Sequence, residues 1–118
     1  MRAKDALGRH GEELAARCLS DAGMEILARN WRCPEGEIDV IARDGHTVVF
    51  CEVKTRSSTE FGSPLEAITV RKAARIRRLA YRWLREQRPA AAEVRFDVVS
   101  IVRPPLGEPV VEHLRAAF

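Results

Sequence analysis

The sequence predicts a single α/β domain over residues 1–118, built on a mixed sheet of four to five strands in the order α-β-β-β-α-β(-β), with the helices laid on the sheet. Three observations carry this. Ile38 to Ala42 and Thr47 to Lys54 alternate with period two around the turn dipeptide Asp44-Gly45, which reads as a β-hairpin. Asp5 to Ala22 and Thr69 to about Gln87 carry apolar residues at helical spacing. The second of these helices separates two strand patterns, so it acts as a crossover and the fourth strand should run parallel to the third.

Taken in order, the first helix has a stripe of Leu7, Leu14, Ala15, Cys18 and Ala22, closed by Gly23 as a C-cap. Gly11 falls inside this stripe, which marks close approach by another backbone, with Glu12 at its border and Glu13 pointing outward. Met24 to Cys33 reads as the first strand, and the hairpin follows. With Asp44-Gly45 as the turn, Glu37 lies opposite Glu52 and Asp39 opposite Phe50. Period two then puts Glu37, Asp39, Glu52 and Lys54 on one face and Ile38, Val40, Ala42, Val49, Cys51 and Val53 on the core face. Residues 55–64 are small and polar and form a loop of functional length. Thr69 caps the second helix, whose buried face should be Ala73, Ile76, Leu79, Ala80 and Trp83. Val94 to Val102 is the fourth strand, and Val110 to Leu114 a short edge strand after the Pro104-Pro105-Leu106-Gly107 turn.

Composition excludes several classes. At 118 residues there is room for one modest core. No apolar run approaches the length of a membrane span, and the charged, helical N-terminus does not read as a signal peptide. Cys18, Cys33 and Cys51 are odd in number and lack paired spacing, which argues for a reducing, cytoplasmic compartment and against zinc. His10, His46 and His113 are scattered and read as surface or turn residues. Cys51 reads as a buried small hydrophobe and Trp83 as core, while Trp31 is open between packing and base stacking.

Two constellations carry chemistry. Three carboxylates on one sheet face repel one another, and a divalent cation such as Mg²⁺ or Mn²⁺ relieves that cost. The bland alternative is a half-exposed hairpin with a charged outer face, but Ile41, Val48 and Phe50 share that face, which places the acids at the margin of something covered. The second constellation is the basic helix. Residues 71–88 hold eight basic side chains and one acid, Glu86, a net charge of +7 against +3 for the whole chain, so the remainder is acidic by four charges. Arg71, Arg75, Arg78, Arg82 and Arg85 form one stripe opposite the apolar face, with too few glutamates to balance it. Either it is a solvated face or it meets a phosphate backbone. Lys72 falls on the apolar side of the first turn, where it opposes the helix dipole unless an anion is near. It faces a scissile phosphate or the acids themselves, or else snorkels past the core edge.

These residues resemble two known groups. Gly36-Glu37-Ile38-Asp39 followed by Glu52-Val53-Lys54 resembles the metal site of PD-(D/E)xK nucleases, the restriction-endonuclease-like fold, and is similar to archaeal Holliday-junction resolvases, which add a glutamate from the first helix. A resemblance covering nearly the whole chain rests on Gly8-x-x-Gly11-Glu12-x-x-Ala15, Arg29-Asn30-Trp31-Arg32, Gly36-Glu37-Ile38-Asp39, Phe50-x-Glu52-Val53-Lys54-x-Arg56, Phe61-Gly62-x-Pro64 and Lys72. By these the chain is identified as a member of the YraN family, small bacterial proteins described as candidate endonucleases.

The resemblance implies a metal-dependent endonuclease acting on DNA, branched or damaged DNA included. Asp39 and Glu52 would hold Mg²⁺ or Mn²⁺ with the backbone carbonyl of Val53, and Glu37 as an outer ligand. Lys54 would stabilise developing charge and Glu12 would serve as a further metal or water ligand. Arg32, Arg56, Lys72, Arg71, Arg75, Arg78 and Arg82 would bind nucleic acid. The proline of the nuclease signature is replaced by Ile38. The alternative class is a non-catalytic nucleic-acid-binding or scaffold protein on the same fold. A homodimer, if formed, has the apolar segment Val110 to Phe118 as its candidate surface.

Overall fold

The computed structural model describes residues 3–58, 63–91 and 93–118. Leu7 of the expected helical stripe and Phe61-Gly62 of the loop motif lie outside the described side chains and residues. The elements are α1 (Ala3–Asp21), β1 (Glu25–Cys33), β2 (Gly36–Asp44), β3 (Thr47–Arg56), a one-turn 3-10 helix (Pro64–Ala67), α2 (Val70–Gln87), β4 (Glu93–Val102) and β5 (Val110–Leu114). The five strands lie in sequence order in one open sheet. β3 and β4 are parallel and the other pairs antiparallel, as the crossover requires.

The helices lie on opposite faces of the sheet. Ala15, Leu19 and Met24 pack with Val40, Ala42, Val49, Cys51, Val99 and Ile101 on the α1 side. Leu79, Ala80 and Trp83 pack with Ile38, Ile41, Val48 and Phe50 on the α2 side. The buried face of α2 is the expected one, residue for residue. Thr69 caps the helix, its hydroxyl accepting from the Lys72 N–H at 3.1 Å. In α1 the stripe is displaced: Leu19 is fully buried, while Ala22 is exposed beyond the helix end. Gly23 closes α1 at φ 93. Gly11 is buried against the Thr55 side chain, whose hydroxyl a Cβ would overlap, so α1 lies directly on β3. The close approach is made by a side chain and not by backbone as expected.

The β2–β3 hairpin corrects two expectations. Its loop is Gly45-His46, not Asp44-Gly45, with Asp44 paired to Thr47, Ala42 to Val49 and Val40 to Cys51. Gly45 has φ 61 and takes the first central position, as a type II′ turn demands. The register therefore moves by two residues, which sets Asp39, not Glu37, at the level of Glu52. The second correction concerns the faces. Ile38 packs on the α2 side with Ile41, and Trp31 lies there with Ala28. Both pairs are three residues apart, so alternation is reset once in β2 and, besides the register shift between Ile26 and Ala28, again in β1. The reset falls where pairing passes from Arg29–Val40 to Trp31–Ile38, with Asn30 in the left-handed region at φ 51.

The C-terminal segment is partly spent inside the molecule. The Ala117 N–H donates to the Phe96 carbonyl at 2.8 Å, and Phe118 packs on Phe96 with Arg77 over both rings. Val110 and Val111 remain exposed on the edge strand. Among the described residues no helix is long and apolar enough to cross a membrane.

Candidate metal centre

The hairpin strands part at their open end, and the acids gather there. The last recorded β2–β3 pair is Val40–Cys51. Beyond it the Val53 N–H, which would otherwise bond the β2 main chain, donates to the Asp39 carboxylate at 2.8 Å. A strand residue presents its N–H and C=O to the same side, so the Val53 carbonyl faces the same opening.

The four residues expected on one face do not share it. Glu37 and Asp39 flank Ile38 on the α1 side, where they meet Glu12; carboxylate oxygens of the three lie within 4.8 Å of one another. Glu12 is delivered there by the close packing of Gly11 on Thr55. Glu52 and Lys54 alternate with Val53 and point to the α2 side. Glu52 meets Lys72 there, Nζ to Oε1 at 3.0 Å. Asp39 lies between the two sides and senses both.

Electrostatics reflect this crowding. The Asp39 carboxyl is pushed up to about 7, first by burial and then by the charge of Glu52, with Glu12 and Glu37 adding to it against the Val53 hydrogen bond. Two cations partly neutralise the cluster: Lys72 on Glu52 and Arg32, whose Nε bonds Glu37 at 2.6 Å. An all-oxygen donor set whose repulsion is only partly relieved fits a hard divalent cation, Mg²⁺ or Mn²⁺. Glu12, Glu37 and Asp39 form the tightest donor group, with Glu52 beyond it.

Beside this cluster, Thr69, Arg71, Lys72, Arg75 and Arg78 line a pocket of about 380 Å³. Arg71, Arg75 and Arg78 are exposed. Arg82 is drawn off by Glu86 at 3.1 Å and Glu35 at 3.6 Å, so the stripe is balanced at that position. Arg56 is half-buried at the end of β3, where its carbonyl accepts from the Arg103 N–H.

One charged network escaped the sequence reading. Asp97 is fully buried in β4 and is bonded by Arg95 Nε and Nη2 at 2.9 and 3.0 Å, by His113 at 2.7 Å and by the Ala116 N–H at 3.0 Å. Arg95 also reaches Asp44 at 3.0 Å. His113 is therefore an internal partner, not a surface residue. The available signal was an acid sharing strand parity with Val99 and Ile101.

An open mixed sheet between two helices, with carboxylates where two of its strands part, defines a class of small α/β proteins with an acidic centre beside a basic helix. The chain belongs to the family described as Uncharacterised protein family UPF0102, whose model matches residues 11–101, the YraN family of the motif resemblance. It is 65% identical over 118 residues to a UPF0102 protein of Frankia alni, covering all of this chain and 98% of that relative. It is 60% identical over 115 residues to one of Nocardia farcinica (98% and 91%) and 54% over 116 residues to one of Streptomyces griseus subsp. griseus (98% of each). The matched segment includes Glu12, Glu37, Asp39, Glu52, Lys54 and Lys72.

Proposed function

We propose that the protein is a metal-dependent endonuclease that hydrolyses phosphodiester bonds in DNA, branched or damaged DNA being the substrate class. The observation that carries this reading is the packing of Glu12, Glu37 and Asp39 within 4.8 Å of one another, with the Asp39 carboxyl held up to about 7 beside Glu52. Asp39, Glu52 and the Val53 carbonyl would hold the metal, with Glu37 as an outer ligand. Mg²⁺ or Mn²⁺ held there would supply charge that polarises a phosphoryl oxygen and eases deprotonation of the attacking water. Glu12 would serve as a further ligand to the metal or to that water. Lys54 offsets negative charge that grows on the phosphoryl oxygens as the water oxygen bonds to phosphorus and the leaving oxygen departs with a proton. Arg71, Arg75 and Arg78, with Arg32 and Arg56, hold the backbone, and a cytoplasmic location goes with this reading.

The test is cleavage of a four-way junction, a flap, single-stranded DNA and linear duplex, each with Mg²⁺, Mn²⁺ or EDTA. Metal-dependent cutting should disappear in Asp39→Ala and Glu52→Ala while DNA binding survives. Cutting that persists in both variants overturns the assignment. A second reading, a binding or scaffold protein, is favoured by the protein's own cations, Lys72 and Arg32, resting on Glu52 and Glu37. Binding without cutting under every metal condition would establish it.

A further inference from the structure

Lys72 belongs to two sites at once. Its ammonium pairs with Glu52, and its side chain also lines the pocket at the start of α2 with Thr69, Arg71, Arg75 and Arg78. The pocket's volume, about 380 Å³, lies at the lower end of the roughly 300–1,000 Å³ typical of ligand sites. Its lining includes four cations and no acid. The first turn of α2 likewise carries no acidic residue, so the positive end of an 18-residue helix adds to the same field. Among the described residues Glu52 on Lys72 is the one ion pair recorded for these four cations, so the like charges of Arg71, Arg75 and Arg78 repel with little offset. An anion with several acceptor oxygens relieves them, and guanidinium forks suit a phosphate.

We propose that this pocket seats one phosphate group of the nucleic acid and that Lys72 is shared between that phosphate and Glu52. Seating the phosphate draws Lys72 away from Glu52 and releases the carboxylate to the acidic cluster, so that anion and metal affinities rise together. Glu52 is held by Lys72, and the tight donor group is Glu12, Glu37 and Asp39 without it. The inference rests on the nucleic-acid reading above, but it concerns assembly of the site, not its chemistry. The coupling is reciprocal: whatever frees Lys72 from Glu52 must also strengthen anion binding.

That reciprocity gives a test free of metal and of cleavage. Binding of a short DNA duplex, and separately of inorganic phosphate, is measured in EDTA for the native protein, Glu52→Gln, Lys72→Met and the double variant. Glu52→Gln should tighten binding at least about fivefold when Lys72 is present and leave it unchanged in the Lys72→Met background. Equal tightening in both backgrounds would mean simple charge repulsion and would overturn the proposal, as would no tightening at all. Phosphate alone reproducing the cycle identifies the anion as sufficient; the cycle with DNA only assigns the seat to a backbone phosphate held by its flanking nucleotides. Lys72→Gln provides a second neutral replacement, with thermal unfolding to show that each variant is folded. If the native protein binds neither probe, this proposal falls, while the nuclease reading is decided by the cleavage panel above. If DNA binds but the cycle fails, the nuclease reading stands.

Discussion

Asp39 is the residue on which α1, β2 and β3 converge, and its proton is the most direct readout of the site. In the unfolded chain its carboxyl titrates near 3.8, and in the folded protein at about 7. Between those values the folded state holds a proton that the unfolded chain has lost. The stabilising contribution of this group is therefore complete below about pH 4 and declines as pH rises to about 7. Asp39→Asn keeps an oxygen for the Val53 N–H but abolishes the charge. It should stabilise the metal-free protein near pH 8 by about 1–4 kcal/mol, the upper figure following from a shift of about three pKa units. The gain should vanish near pH 4. Thermal unfolding across this range in EDTA checks both halves, and equal gains at both ends would show that burial of a charge is not the cause. Mn²⁺ affinity of the native protein should fall as pH drops below about 7, because proton and metal compete for the same oxygens.

At the scale of elements, the contact of α1 with β3 and the exposed face of α2 make separate predictions. Gly11→Ala drives a methyl into Thr55 and should cost about 1–3 kcal/mol. Because Glu12 follows directly, Mn²⁺ affinity should weaken as well, and adding Thr55→Ala should recover part of both losses. Full stability of Gly11→Ala would show that the two elements can slide apart without loss. On α2, the arginines divide into two groups. Arg75→Gln and Arg78→Gln should weaken DNA binding uniformly across sequences and lower its dependence on salt, each by roughly one phosphate contact. Arg82→Gln should do less, since Glu35 and Glu86 already hold that side chain. Salt titrations of binding decide this. An Arg82 effect equal to the others would mean that DNA displaces both glutamates.

For the whole molecule, the Asp97 network joins the β2–β3 turn through Asp44, β4 through Arg95, β5 through His113 and the chain end through the Ala116 N–H. Burial raises the Asp97 carboxyl, but Arg95, the Ala116 N–H and His113 more than offset this, so it lies below the ordinary 3.8. Its contribution to stability is present above 3.8 and is lost as pH falls through the lower folded value. Asp97→Ala leaves Arg95 without its buried partner and should cost about 3–5 kcal/mol near neutral pH, with a smaller loss in strong acid. Chemical denaturation at the two pH values measures the difference. Because the network lies at Asp44, the closed end of the hairpin, Mn²⁺ affinity of the folded variant should be little changed.

Much of this molecule was readable from short-range patterns. The buried face of α2, its Thr69 cap, the close approach at Gly11 and the parallel crossover all follow from periodicity and local sterics, which act over a few residues and leave their mark in the chain. The expectation that Lys72 lies near the acids also needed only the crossover. The hairpin register was not readable, because Gly45 supplies a positive φ whether the turn is Asp44-Gly45 or Gly45-His46, and the alternation around it is the same in both. The reset of alternation at Asn30 and Asp39 was hidden for a different reason: each strand alone keeps a plausible period, and the break becomes visible when both pack against the same helix. Asp97 and His113 found each other because β5 folds back onto β4, a pairing that no local signal encodes. Gathering the acids from opposite sides of the sheet into one opening likewise required long-range closure, since the repulsion among them is overcome by burial of the two cores on either side.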